Sequence, residues 1–478
     1  MAEGIQRAGQ FKIEYAAIIT SSGLVQDIIG NIIGITIYES VGRASISGDV
    51  TLHDSFSLSN IGPIIGQEFL LLKISTPTIT DPHDTIDFSE EVFHIRSVTD
   101  KKYAGKGTEM LTLKFVSSEL MRSNRIKISE TLVGNSSTIV QRMLERVECN
   151  KNIYIEPSLG VRKIVAPNLT PFQVIHMLTK SAMSNKSPVS QGISPSYMFW
   201  ESLKGYHFRT LDSCMAQENT WDFTTFTTGS RNDGKGNSSI NEDLSNVMNL
   251  QITHNDLLKA TADGVLHSNL IVHNIHTKSY STHEYNYFDE FDKETHIGDG
   301  YPMYSETPMP ISAGQGKQRV SDHDGKVLLH PVATTPTDDA RDATYQSTSG
   351  EFNFDARAPQ KWLQKRMSQM GSMDHSIRCK IEINGNTAIS AGTMIGMTIP
   401  FHADIPMQKE EKIDLFLQGS FLVRSIRHRF LVASWQHQMN LDIVKNSSAT
   451  MLDEVESSEP FASTKGTIET ELYNSYIV

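Results

Sequence analysis

Trp200, Glu201, His207, Arg209 and Asp212 fall within one short stretch, Met198 to Asp212, which reads MFWESLKGYHFRTLD. Two chemistries suit these residue types. Glu201 and Asp212 could serve as the paired carboxylates of glycoside hydrolysis, or His207 as a general base oriented by Asp212. Either use needs the groups on one face, so the backbone that carries them decides. Apolar and polar residues alternate on both sides of Ser202 to Gly205, which predicts two strands around a tight turn with Gly205 free to take a positive φ. Alternation sets Met198 and Trp200 opposite Phe199 and Glu201, and Tyr206 and Phe208 opposite His207 and Arg209. The rings account for a buried face. The charged groups then read as a solvated or interface face held by cross-strand ion pairs, not as a catalytic set.

The other candidate constellations have structural readings too. His267, His273, His276 and His283 cluster, but the HNIH spacing splays its two rings to opposite faces of a strand, and HEYNY lacks the second histidine of a zincin helix. Ser321 to Gly325, SDHDG, resembles the start of a calcium loop, yet Ala333 stands where the closing glutamate belongs, and a turn with aspartate side chains explains it. GKGNSS and AGQGKQ lack Walker spacing, and no GxSxG is present. Catalytic, cofactor-binding and metal-binding residues are therefore assigned to none, and no cofactor is expected.

The chain has 478 residues, enough for about three domains. Hydrophobic residues make up 38% and charged residues 21%, the balance of a globular protein rather than a disordered one. Lys plus Arg is 43 against 55 for Asp plus Glu, a net charge of -12, with no basic run interleaved with aromatics, which argues against a nucleic-acid grip. The start, MAEGIQRAGQ, reads without a signal peptide. Leu24 to Ile37 is broken by Gln26, Asp27, Gly30 and Asn31, so no membrane insertion is expected. Cys149, Cys214 and Cys379 lie far apart without metal spacing and read as reduced, structural thiols.

The elements that would position the hairpin follow from periodicity. GQFKIEYAAII, GITIYES, ASISGDVTLHD (with Gly48 as a bulge), GQEFLLLKIST, VFHIRSVTD and LTLKFVS predict a first small β-barrel over residues 1–117. Residues 118–244 read as the first part of a middle α+β domain. It holds one helix capped by Ser136 or Ser137 and a second with Thr170 as cap and Pro171 in its first turn. Strands in 245–276 are expected to join a second barrel. Residues 277–370 return to the middle domain, with irregular loops over Ser281 to Phe354 and a basic amphipathic helix over Asp355 to Met370 carrying Trp362, Leu363 and Met367. IRCKIEINGN, GTMIGMTIPF, GSFLVRSIRHRFLV and WQHQMNLDIVKN predict the second β-barrel over 371–447, and 448–478 an acidic tail. The fold class is thus α+β, mainly β, with two small barrels flanking a middle domain.

Five segments in order carry a resemblance: ISGDVTLHD with IGPIIGQEFLLLKIST, IVAPNLTPFQVI, FWESLKGYHFRTLD, INGNTAISAGTMIGMTIP, and FLVRSIRHRFLVASWQHQMNLDIVKN. Together, over about Phe11 to Asn446, they resemble the baseplate hub protein of contractile-tailed, T-even-like bacteriophages. The resemblance implies tail-tube or tudor-like barrels and a ring-forming homotrimer, in which two like barrels per chain convert three copies into a six-fold surface. It implies a late structural virion protein assembled in the host bacterial cytoplasm. The implied partners are the tail tube protein, a trimeric cell-puncturing spike and other baseplate components. Genomic DNA would pass through the channel during ejection without specific binding, which suits an acidic chain. The protein is then not an enzyme, and Trp200, Glu201, His207 and Arg209 become candidate partner or subunit contacts.

Two rival classes use Ser281 to Phe354. A virion cell-wall hydrolase would draw on Glu284, Asp289, Glu290, Asp292 and Glu294, which are bunched and have no His or Ser partner at a motif spacing. A glycan-binding tail module would draw on Tyr285, Tyr287, Phe288 and Phe291. A type VI secretion spike, related in architecture, would need an extended repeat where 448–478 stands.

Overall fold

In the computed structural model of the chain the described residues are 7–54, 64–77, 79, 85–105, 108–184, 193–226, 240–275, 278–298, 300–306, 309–310, 317–323, 325–332, 359, 362–399, 414 and 416–449. Mainly antiparallel strands dominate, with few helices.

The N-terminal strands are β1 (Lys12–Ile19), β2 (Val25–Asp27), β3 (Ile32–Ser40), β4 (Ser47–Asp54), β5 (Phe69–Ser75), β6 (Thr85–Gly105) and β7 (Thr108–Ser117). They pair in the order β3-β4-β7-β6-β5-β1-β2. Period-two alternation turns Ile35, Ile37, Val50, Leu52, Leu70, Leu72, Leu111, Leu113 and Phe115 to a common core. β6 is long enough to serve two partners: Phe88 opposes Leu72 on β5, and Ile95 opposes Phe115 on β7. Its register with β7 is irregular between Ile95 and Ser97 and between Thr99 and Lys102. Gly48 is not a bulge. It sits in regular register between Ile37 and Phe115, and glycine is needed because a Cβ there would run into the Phe115 ring and the Thr36 carbonyl.

Next come helices α1 (Ser118–Arg125), α2 (Ser136–Arg146) and α3 (Pro171–Thr179), then the hairpin strands β8 (Tyr197–Ser202) and β9 (Gly205–Thr210). Thr170 caps α3 as its sequence predicts, in a full capping box with Gln173, and Pro171 opens the helix. The cap position of α2 is Asn135, one residue before the serines expected there. The basic helix is α4 (Leu363–His375), starting after Trp362 and running past Met370; residues 355–358 lie outside the described ones.

The C-terminal strands are β10 (Asn246–Thr253), β11 (Ile377–Asn384), β12 (Met394–Met397), β13 (Gly419–Leu431) and β14 (Gln436–Lys445). They pair β10-β11-β14-β13-β12 around a second core of Ile377, Ile381, Ile395, Phe421, Val423, Leu441 and Ile443. Consecutive short strands Asn219–Phe223 and Thr225–Phe226 pair with β12 and β10 respectively, so one stretch of chain reaches both ends of this set. The two sets are not separate bodies. Residues 425–431 of β13 pair with 34–40 of β3, joining both into one 14-stranded sheet.

Only the first strand expected between 245 and 276 joins the C-terminal set. Asp256 caps a short helix, Leu257–Ala262, that turns the chain away. His267–Asn274 then becomes the middle strand of a separate sheet with Ser279–Asn286 and Lys326–Val332. That sheet, and the helix Tyr287–Phe291, lie partly where the sequence predicted irregular loops. Short apolar runs such as KVLLHPV are masked there by the surrounding turn-formers. Residues 450–478 of the expected tail lie outside the described residues, while Ser447–Ser448 pairs with Tyr301–Pro302. Among the described residues no helix is long and apolar enough to cross a membrane.

Candidate functional site

The hairpin forms as its sequence predicts, with Phe199 opposite Phe208, Trp200 opposite His207 and Ser202 opposite Gly205. Gly205 has φ 127°, and a Cβ there would strike the Asn152 carbonyl. That close approach lets Tyr206 N donate to Asn152 O at 2.8 Å and strand Ile153–Ile155 add in parallel to β9. The open edge of β9 is thereby covered.

Both faces of the hairpin are buried, so of the solvated or interface face expected there the solvated alternative fails and the face is packed within the chain. Tyr197, Phe199, Tyr206 and Phe208 pack with α2 and α3, with Tyr197 stacked on Phe208 at 4.6 Å and Phe199 on Tyr206 at 5.6 Å. On the other face Met198 and Trp200 meet Val41 after β3, Met373 of α4, and Met394, Leu422 and Val444 of the C-terminal strands. Trp200 Nε1 donates to Ala391 O at 3.0 Å. The stretch that looked like a surface patch is the joint between the helices and both strand sets.

Trp200, Glu201 and His207 are therefore not exposed contact residues, because this chain already supplies their partners. Glu201 is 1% exposed. Its Oε1 accepts from Lys151 Nζ at 2.6 Å, and its Oε2 accepts from Ile46 N at 2.7 Å and Ser117 Oγ at 2.6 Å. Lys151 also donates to Glu119 Oε2 at 2.9 Å, and Arg122 lies 3.6 Å from Glu119 Oε1. Burial works against the charge on Lys151, but Glu201 and Glu119 together outweigh it and hold the ammonium pKa above its ordinary value. Removing one member of such a buried set leaves an uncompensated charge and is costly.

His207 is sandwiched between the Trp200 and Tyr154 rings, both at 4.8 Å, and its Nε2 lies 2.9 Å from Ser202 Oγ. Burial, helped by the Arg209 and Lys204 charges, lowers its pKa to about 3, so it is neutral. Its hydrogen-bond partner is Ser202, not Asp212. Asp212 accepts from Ser194 Oγ and, at 2.9 Å, from Gln369 Nε2 of α4; burial raises its pKa despite these bonds. Neither the base-and-orienter pair nor a carboxylate open to substrate is formed. Arg209, half-buried, donates to Ser213 O at 3.0 Å and Gln217 Oε1 at 3.4 Å, which ties it to the turn after its own strand.

A second buried node lies beside the hairpin turn. Glu39 of β3 accepts at Oε1 from His428 Nε2 of β13 at 2.8 Å, and at Oε2 from the backbone of Leu203 at 3.2 Å and Ala391 at 3.3 Å. His428 Nδ1 is 3.2 Å from His437 Nε2 of β14. Sequence reasoning missed this node and Lys151. A signal was present for part of it: Glu39 shares inward phase with Ile35 and Ile37, His428 with Ile426 and Phe430, and His437 with Met439 and Leu441. A charged or imidazole group at an inward strand position implies a buried partner. Lys151 left no such trace, since its loop position has no period.

The other constellations resolve as structural groups. His267 Nε2 is 3.0 Å from Glu284, and His283 Nε2 is 3.0 Å from Ser281 Oγ, while His276 lies outside the described residues. Among the described residues no group of three or more His, Cys, Asp or Glu is placed to hold a metal. In SDHDG, Asp322 is taken up by Arg319, and Asp324 and Ala333 lie outside the described residues. Of the acidic cluster, Asp289 faces Arg319, Glu290 pairs with Lys293, and Glu294 is buried beneath the Tyr285 hydroxyl at 3.1 Å. Tyr285, Tyr287, Phe288 and Phe291 are buried, which removes them as an exposed sugar platform. Glu294 and His296 border a cavity of about 450 Å³ with Met215, Gln217, Met394 and Ser420. Burial raises Glu294 to about 8 and lowers His296 to about 4.

No family model and no curated protein matches the sequence. Among solved structures the chain is similar to the tail protein from Neisseria meningitidis MC58, with 10% identity over 91% of this chain and 96% of that one and a TM-score of 0.47. It is similar to the 43 kDa tail protein of prophage MuSo2 from Shewanella oneidensis, with 8% identity over 91% and 98% and a TM-score of 0.48. It is also similar to an E. coli type VI secretion component described as resembling T4 bacteriophage tail proteins, with 8% identity over 92% and 77% and a TM-score of 0.39.

Proposed function

We propose that this chain is a structural virion protein, the central hub of a contractile tail baseplate, and that it has no enzymatic role. In this reading three copies form a ring that joins a six-fold tail tube to a trimeric spike and lines the DNA channel. The likenesses to tail proteins are consistent with it, but it rests on the order of sequence motifs and on one structural observation. The N-terminal and C-terminal strand sets are locked edge to edge through β3 and β13, so each chain presents two β modules in fixed relation. That is what a three-to-six adaptor requires of each copy. We read the two sets as the barrels of residues 1–117 and 371–447, the latter completed by β10 and the strands of 219–226, with the middle domain pinned between them by the hairpin. The non-enzymatic reading is supported by the use of Glu201, His207 and Asp212 in internal bonds. A net charge of -12 suits a lumen along which duplex DNA slides.

Light scattering on the purified chain, with imaging of the same peak, tests this. A stable trimer with a central opening supports the adaptor; a compact monomer at all concentrations overturns it.

A further inference from the structure

The seam between the two strand sets carries an unusual amount of buried, titratable chemistry. Glu39 is 1% exposed and His428 and His437 are 0% exposed. The carboxylate can only accept, so His428 Nε2 donates to it, and the two backbone N–H groups of Leu203 and Ala391 occupy its other oxygen. His428 Nδ1 and His437 Nε2 lie 3.2 Å apart and share one hydrogen bond. His437 Nδ1 is buried and without a hydrogen-bond partner among the described residues.

The surroundings leave no room to supply one. Phe430 lies flat against the His437 ring at 4.1 Å. A Cβ on Gly385 would overlap His437 Nδ1, so that backbone is already against it. Gly9 O and Gly385 N take the backbone N–H and C=O of His437, leaving nothing for the ring. The groups facing the dyad can be named element by element. β3 brings Glu39 and β13 brings His428. The hairpin turn brings Lys204, whose Nζ is held by Ala388 O at 2.9 Å. The turn before Ala391 brings the uncharged Asn386, and the chain start brings only backbone from Gly9. Glu39 is thus the one carboxylate of the node, and His428 already takes it.

We propose that Glu39, His428 and His437 form an acid-sensitive latch on the β3–β13 seam, closed at neutral pH and released when His437 takes up a proton. An added proton on His437 creates a buried donor with no acceptor and a cation beside His428, and the site relieves both by parting the strands and admitting water. Burial already holds the His437 imidazole neutral well below its ordinary range. At His437 the closed seam binds fewer protons than the open one, so its contribution to closure is complete above pH 6.5 and is lost as pH falls below it. The consequence is a pair of strand sets held rigidly at neutral pH and free to change their relative setting in acid. This inference does not depend on the hub reading.

Hydrogen exchange on the full chain tests it, comparing residues 34–40 and 425–431 at the seam with the β4–β7 pairing inside the N-terminal set, at pH 7.5 and 5.5 and corrected for intrinsic exchange rates. Opening of the seam should rise roughly tenfold between the two values, with β4–β7 unchanged, as one proton taken up below an open-state pKa near 6.5 requires. His437→Phe and His437→Gln, which cannot titrate, should each abolish that rise. Equal pH response at both pairings in the unaltered chain overturns the proposal, as does a rise retained in either folded variant. Should neither variant fold, the comparison within the unaltered chain decides.

Discussion

Glu201 shows how a catalytic residue type comes to hold a joint together. Its oxygens bind Lys151, in the loop before strand Ile153–Ile155, and Ile46 and Ser117 of the N-terminal set, so one carboxylate ties three separate stretches of chain to the hairpin. Lys151→Met leaves Glu201 and Glu119 facing each other in a dry site. It should cost about 3–5 kcal/mol in urea unfolding, the usual loss when one partner of a buried ion pair is removed. A change under about 1 kcal/mol would mean that the pair is hydrated and the joint lies elsewhere. Titration gives a second handle at this scale. His207 is neutral down to about pH 3, whereas in the unfolded chain it protonates near 6.5. Its contribution is therefore complete above 6.5 and is lost as pH falls toward 3, by up to about 1.4 kcal/mol per pH unit. Glu294 acts in the opposite sense. With a folded pKa of about 8 against 4.5, it costs stability as pH rises through that window. Urea midpoints across pH 4 to 9 should show both limbs, with Glu294→Gln flattening the alkaline one and His207→Phe shallowing the acid one.

At the scale of elements, what could be read from the sequence was what is local. Thr170 and Pro171 announce a helix start because capping is a short-range hydrogen-bond problem, and Thr170→Ala should cost about 1 kcal/mol in thermal or urea unfolding. Gly205 announces a turn for a similar reason. Gly205→Ala should cost more than the cap, because φ 127° disfavours a side chain and the Asn152 carbonyl stands in its way. If the two losses prove equal, the parallel addition of Ile153–Ile155 beside that glycine is not tight. The face assignment of the hairpin was not legible. Period two correctly separates Trp200 and His207 from Phe199 and Tyr206, but it cannot say that a second body covers the polar side. That cover comes from Met373, Met394 and Leu422, far along the chain. The short strand Lys326–Val332 was hidden by its turn-rich setting, and His267–Asn274 was assigned to the wrong sheet because alternation carries no information about partner choice.

At the scale of the molecule, the sheet joins what sequence grammar divides. A domain boundary is expected where few contacts cross, yet β13 pairs with β14 of the C-terminal set over 422–431 while its other edge pairs with β12 at 419–422 and with β3 at 425–431. The buried cluster around Trp200 draws on Val41 from one set, Met394, Leu422 and Val444 from the other, and α4 between them. Removing either set would strip the other of a strand partner and expose that cluster and the Glu39 node to water. The energetic unit should therefore be larger than either set. At neutral pH, urea unfolding followed by tryptophan fluorescence and by far-ultraviolet circular dichroism should give coincident transitions, since Trp200 sits at the joint and the strands are spread over both sets. Two separated transitions would show that the seam contributes little and that each set stands alone. That result would also remove the rigid spacing between the two β modules on which the adaptor reading depends.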